Sequence, residues 1–265
     1  MLYHQKEVVP CFRKQTIIYF QSLKYIDMKK VIFIIITLLT HTVSFAQKTI
    51  VNDANAVVRL LNESFHSIKI SGGIDLYLSQ YETESIAVSA AEDKFRNDIK
   101  TVVENGELKI YFDGNNWYGS GNKKLKVYVS FKKLDRLQAS GSCDVQVAGN
   151  ITVPELSMSM SGSSDFKGAV LVNKLSLDLS GASDTKISGT ATTVSIVCSG
   201  ASDVKGYELI TENCTIKASG ASDVNITVNK EMNISASGAS DVFYRGNCVI
   251  KEIRSSGAST VAKKG

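Results

Sequence analysis

Six aspartates, Asp144, Asp165, Asp184, Asp203, Asp223 and Asp241, each end or follow a short run of small residues. Carboxylates at a steady repeat could do two kinds of chemistry. With neighbouring serine hydroxyls they could supply the several oxygens that calcium prefers. Set in a polar strip, they could instead hydrogen-bond a glycan. Lys167, Lys186 and Lys205 stand two residues after three of them, on the same face of a strand. Carboxylates stacked at strand spacing repel by about 1–3 kcal/mol per neighbouring pair. The lysines offset this in the second, third and fourth copies. Asn225 and Phe243 take the lysine position in the fifth and sixth, which leaves Asp223 and Asp241 least compensated and the place where a cation would bind if the column binds one. The same residue types also suit a structural role, because Asp and Ser side chains satisfy N–H groups at turns.

The loop from Asp113 to Asn122 offers a different chemistry. It is rich in Gly and Asn and carries the sole tryptophan, Trp117, beside Tyr118. Exposed aromatics stack on sugars and on partner proteins, so Trp117 and Tyr118 are candidate ligand-binding residues. The competing expectation is that Trp117 folds over the end of the core. Beyond residue 46 there is one histidine, His66, and no C-x-x-C spacing. This argues against a zinc site and against His-dependent nucleophilic catalysis. No catalytic residue, metal or cofactor is expected.

These residues are placed by a repeat. Ser-Gly-Ala-Ser-Asp, or a close variant, begins at Ser140, Ser161, Ser180, Ser199, Ser219, Ser237 and Ser256, and its glycines are 18 to 21 residues apart. A period of that size marks a stacked solenoid. Leu175-Ser176-Leu177-Asp178-Leu179 alternates as a half-buried strand should, and a second strand begins after each motif, as in Asp203-Val204-Lys205. Each rung is expected to have two main strands, a glycine corner and a polar turn such as Ser188-Gly189-Thr190. Rungs that run the same way must pair in parallel, about 4.8 Å apart. An antiparallel sandwich fits the strand lengths but not the identical register of the corners. Cys143, Cys198, Cys214 and Cys248 sit at +2, −2, −6 and −9 from the nearest repeat glycine, so stacking brings no pair into register and they read as buried free thiols.

Residues 65–138 are less regular than 139–265, and the whole of 65–265 reads as one all-β domain. A degenerate corner stands at Ser71-Gly72-Gly73, two strands flank Glu104-Asn105-Gly106-Glu107, and Glu92 to Lys100 suits a short helix. This part is expected to cap one open end, and Lys263 and Lys264 to guard the other against edge pairing. Phe65-x-x-Ile-x-Ile-x-Gly-Gly-Ile-Asp-Leu-Tyr-Leu, the strand from Gly106 to Ile110 and the serial corners together resemble the head-GIN family of auto-transporter adhesins. The resemblance implies a right-handed parallel β-helix with rungs of about 19 residues, in the cell envelope. Cys143 and Thr260 depart from the family corner.

The 265 residues carry 30 Lys and Arg against 26 Asp and Glu, but residues 1–46 hold six of the former and two of the latter. From residue 47 onward the chain is formally neutral, without the broad basic field that nucleic-acid binding requires. The cluster Lys123, Lys124, Lys126, Lys132, Lys133 and Arg136 reads as the solvent face of a strand pair. Residues 28–46 read as a signal peptide: Lys29 and Lys30, then an apolar Val31–Leu39, then Ser44-Phe45-Ala46. Residues 1–27 read as a misassigned start and 47–64 as a linker. An exported protein follows, periplasmic, outer-membrane-associated or extracellular, with no transmembrane segment after cleavage. The expected function is a non-enzymatic envelope or surface module that binds a glycan or envelope protein. The alternatives are a polysaccharide-active β-helix enzyme and a structural component without a ligand. N-terminal sequencing of the exported protein should begin at Gln47; residues 1–27 on that protein would contradict both assignments.

Overall fold

Alternation of apolar and polar residues produces strands throughout, and most of them pair in parallel. The computed structural model describes residues 53–114 and 123–265. The first elements are β1 (Val57–Arg59), β2 (Ser67–Ser71), β3 (Asp75–Gln80) and β4 (Ser85–Ser89). A short α1 (Asp93–Asp98) leads into β5 (Ile99–Glu104), β6 (Glu107–Phe112), β7 (Lys126–Phe131) and β8 (Arg136–Ser140). Five long strands follow: β9 (Asp144–Met160), β10 (Asp165–Leu179), β11 (Asp184–Cys198), β12 (Asp203–Ala218) and β13 (Asp223–Ala236). The last turn is β14 (Asp241–Arg245), β15 (Val249–Ser255) and β16 (Thr260–Lys263). The result is a β-solenoid of about 7 turns.

The polar turn expected at Ser188-Gly189-Thr190 is not a break. All three residues lie inside β11 and pair with Ala169, Val170 and Leu171 of β10. Neighbouring rungs bend at the same register, so the ladder continues through the bend. The inward residues of β10 are Phe166, Val170, Val172, Leu175, Leu177 and Leu179. Their alternation slips at Gly168-Ala169 and again at Asn173-Lys174, and each slip turns the wall. With the glycine corner, this gives each rung three sides rather than two. Differences in rung length are absorbed at the bends: the β11–β12 register shifts between Lys186 and Gly189, and the β12–β13 register between Gly206 and Ile210.

The corners themselves are paired rung to rung. Ala182, Ala201, Ala221 and Ala239 each donate their N–H to the carbonyl of the preceding corner glycine, at 2.7–2.8 Å. The fourth corner residue points inward. Ser183, Ser202 and Ser222 are fully buried, and each hydroxyl donates to the carbonyl three residues back at 3.0 Å. Cys143, which departs from the pattern, does the same work with its thiol, 3.3 Å from the Ser140 carbonyl.

The irregular part closes one end by reversing direction. β2 lies between β6 and β8, in parallel with both, while β3 lies between β7 and β9. Thus the Ser71-Gly72-Gly73 corner is a true rung. β4 and β5 then run antiparallel to β7 and β6 and cover their outer edges. The expected linker also carries structure, since β1 pairs antiparallel with β4. At the other end the charge guard covers one side. β16 pairs with β14, and Lys264 Nζ sits 4.2 Å over the Phe243 ring. On the side of β15, Val249 and Ile253 remain 59% and 49% exposed.

A side chain at a corner would meet backbone. The Gly220 φ is +79°, and a Cβ there would fall well inside contact distance of the Gly200 carbonyl oxygen. Gly149 has φ +80° but open space around it. Gly149→Ala should therefore cost the φ penalty alone, about 1–2 kcal/mol. Gly220→Ala should cost distinctly more, about 3 kcal/mol or above. Chemical denaturation of both variants checks this; equal costs would mean that the stacked carbonyls do not set the corner.

Candidate functional site

The strand that leaves each corner places one residue outward, one inward and one outward again. Parallel register then turns those positions into columns. Asp144 pairs with Asp165, Asp184 with Asp203, Asp203 with Asp223, and Asp223 with Asp241. Two residues on, Lys167 pairs with Lys186, Lys186 with Lys205, Lys205 with Asn225, and Asn225 with Phe243. The columns run further than the repeat suggested. Asp75 sits on the rung before Asp144 and pairs with Lys126, while Tyr77 pairs with Gln146. The signal was present: Ser71-Gly72-Gly73-Ile74-Asp75 keeps the corner spacing with Ile74 in place of the inward serine. What hid it is that its two neighbouring rungs come from distant parts of the chain.

Electrostatically the column is uneven. Burial, then the charge of Asp165, raises the Asp144 carboxyl above the usual aspartate value. Burial, then Asp144, raises Asp75, with Lys126 opposing. Asp223 is raised by burial and by the flanking Asp203 and Asp241, with the Asp241 N–H pulling the other way. Lysine compensation is narrower than the spacing implied. Lys205 Nζ reaches Asp184 at 2.8 Å and Asp203 at 3.8 Å, and the hydrogen bond to Asp184 holds the ammonium above its usual range. Lys167 and Lys186 form no ion pair among the described residues, so of the three lysines Lys205 alone bridges two rungs there. The carboxylates also serve the fold. Asp165 accepts the Asp184 N–H at 3.3 Å, and Asp241 accepts the Thr260 N–H at 3.2 Å.

Aromatic residues flank the ladder. Tyr77 and Tyr128 stack at one end, with ring centroids 5.0 Å apart, and Tyr128 donates to Asp53 Oδ2 at 2.9 Å. Toward the other end the Arg245 guanidinium lies 4.2 Å over Tyr207. Tyr207 and Glu208 occupy the bend where β12 is longer than β11, and with Lys186, Lys205 and Asn225 they line a shallow depression of about 270 Å³. Trp117 and Tyr118 lie outside the described residues. Among the described residues, no group of three or more His, Cys, Asp and Glu side chains is arranged to hold a metal ion. Asp223 and Asp241 are neighbours in a column and not a cage. The four cysteines among the described residues are unpaired, and burial pushes the Cys198 and Cys214 thiols up to about 12, far from the thiolate form at neutral pH. Among the described residues no helix is long and apolar enough to cross a membrane.

A family model described as "Putative auto-transporter adhesin, head GIN domain" matches residues 64–248. No curated protein matches the chain. Among solved structures, a "putative adhesin" of Bacteroides fragilis superposes with a TM-score of 0.71 at 19% identity, covering 80% of this chain and 98% of that one. A "putative adhesin" of Parabacteroides distasonis gives 0.64 at 16% identity, with the same coverages of 80% and 98%. A "putative lipid binding protein" of the same organism gives 0.61 at 18%, again covering 80% and 98%. At these identities the likeness is one of fold.

The column makes opposite demands at two of its members. The folded-state carboxyl of Asp223 is raised, so its ionisation costs stability as pH climbs above the ordinary 3.8. Asp223→Asn should raise Tm by about 1–2 °C at pH 7, and the difference should vanish on acidification below that value. Asp184→Asn removes the nearest partner of Lys205 and should lower Tm instead. Calcium should change neither melt. A calcium-dependent rise that Asp223→Asn abolishes would contradict this account.

Proposed function

The chain belongs to the head GIN domain family, and from that premise we propose that it is an exported, non-enzymatic binding module of the cell envelope whose ladder face takes a glycan or an envelope protein. One observation carries the reading. Columns of charged and polar side chains run in register along one wall, from Lys126 and Asp75 to Asp241 and Phe243, with carboxylate and ammonium side by side at Asp165 and Lys167, Asp184 and Lys186, and Asp203 and Lys205. Seven rung steps of about 4.8 Å make that wall about 34 Å long. A rigid wall of that length suits an extended ligand, because its side chains are already ordered and little entropy is lost on binding.

Catalysis fits this wall poorly. Neighbouring aspartates at rung spacing approach the separation of the carboxylate pair in retaining glycosidases. Such a pair must flank the bond to be cleaved, and these carboxylates project in one direction from one sheet face. The depression beside them is open and lined by Lys186, Lys205, Tyr207, Glu208 and Asn225, without a second carboxylate opposite Glu208. Export rests on the segment from Met28 to Ala46, with its paired lysines, apolar run and small residues before Gln47.

Retention of the purified protein on envelope fractions and on immobilised polysaccharides tests the reading. Wild type should be retained, and the triple variant Lys167→Ala, Lys186→Ala, Lys205→Ala should bind at least about tenfold more weakly, with an unchanged fold by circular dichroism. Retention should weaken with salt, since these charges are solvent-facing. Release of reducing ends from any polysaccharide would overturn the non-enzymatic reading. Undiminished binding by the triple variant would move the recognition surface off the ladder.

A further inference from the structure

The wall has one discontinuity, where the cap meets the first long rung. β3 pairs with β9 as far as Ser79 and Ala148 and then leaves the ladder. Gln80 fills the gap with its side chain. Its Nε2 donates to the Lys132 carbonyl at 2.9 Å and the Thr152 carbonyl at 3.0 Å, while its Oε1 accepts the Thr152 N–H at 2.7 Å. One amide thus replaces a stretch of strand, and because it is shorter than a strand a depression of about 380 Å³ remains above it. Gln80, Tyr81, Glu82, Lys132, Asn150 and Thr152 line it. That volume lies in the lower range of small-ligand sites, about 300–1,000 Å³.

β3 and β7 end at Gln80 and Phe131, and Asn150 follows Gly149, whose φ is +80°, so the depression stands at the bend that borders the ladder face. The rim is held in place. The Tyr81 N–H donates to the Phe131 carbonyl at 2.9 Å, and the Ser130 hydroxyl to the Thr83 carbonyl at 2.6 Å. The floor is saturated by its own hydrogen bonds, but the rim is not. Tyr81 is 46% exposed, and the side chains of Glu82, Lys132 and Asn150 make no hydrogen bond or ion pair among the described residues. An aromatic face, one acceptor, one cation and one amide therefore converge on a small, rigid, open hollow.

We propose that this hollow is a monosaccharide subsite, in which Tyr81 stacks on the C–H face of a neutral hexose or N-acetylhexosamine unit while Glu82, Lys132 and Asn150 hydrogen-bond its hydroxyls or amide. A pyranose presents an apolar face and a polar rim together, and each has its counterpart here. The mixed signs of Glu82 and Lys132 favour an uncharged sugar over a phosphate or a uronate, which would meet the Glu82 carboxylate. The proposal rests on the binding-module reading and gives the glycan a point of anchorage at the end of the wall.

The test is binding of the purified chain to a printed array of neutral hexose and N-acetylhexosamine oligosaccharides, followed by titration of the strongest of them. Tyr81→Ala should weaken that titration at least about tenfold, as should Asn150→Ala to a smaller degree. Tyr81→Phe should bind as wild type does, because stacking needs the ring and not the hydroxyl. All three should melt as wild type does. If a saccharide binds and Tyr81→Ala leaves its affinity unchanged, the subsite is wrong while the binding-module reading stands. If no saccharide binds but envelope protein does, the subsite is equally wrong and the ligand of the wall is protein. If neither binds, both fall.

Discussion

At each corner from Gly162 to Gly257 a carbonyl oxygen stands where a side chain would otherwise be. A Cβ on Gly238 or Gly257 would come within 2.6 Å of the preceding glycine's oxygen. That oxygen accepts the amide of the next rung's third corner residue, so the same atom that excludes a side chain also ties the rungs together. The positive φ of these glycines, between +75° and +90° in the regular repeats, aims the carbonyl along the stack. Everything else in the solenoid depends on this alignment. It fixes the start of each outgoing strand, and therefore which residue of each rung becomes a member of which column.

The columns are a consequence of that shared start. Because the corner never shifts, Asp stacks on Asp and Lys on Lys, whatever the cost of like charges side by side. Variation in rung length is pushed to the bends, where β12 accommodates Tyr207 and Glu208. The wall thus separates two duties. Its corner-proximal positions are repetitive and bonded into the fold, as the Asp165 and Asp241 carboxylates show. Its bend-proximal positions are free to differ, and the aromatic residues and the hollows are found there.

Much of this was legible in the sequence because translation along the rod repeats a local rule. The recurring glycines gave the parallel register, the aspartate and lysine columns, and the separation of Cys143, Cys198, Cys214 and Cys248 from one another. The three-sided rung was harder to see: a bend that neighbouring rungs share breaks no hydrogen bonds, so Ser188-Gly189-Thr190 looks like a turn and behaves as strand. Non-local order was not legible at all. Nothing in the alternation of residues 67–80 says that β6 and β8 will flank β2, and so the corner spacing before Asp75 could be read but its place in the column, and the Gln80 hollow, came only from the pairing. Nor could the spacing show that Lys205 reaches back to Asp184 while Lys167 and Lys186 make no such bridge.

Amide hydrogen exchange at the corners tests the stacking most directly. Ala182, Ala201, Ala221 and Ala239 have exposed side chains on a Gly-rich surface, where an ordinary loop would exchange freely. If their N–H groups are bonded to Gly162, Gly181, Gly200 and Gly220 as described, they should exchange as slowly as the inward strand residues Leu177 and Ile196. Exchange of all four at unprotected rates, with Leu177 and Ile196 still protected, would contradict the account: the corners would then be loops between paired strands, and the columns would need another cause.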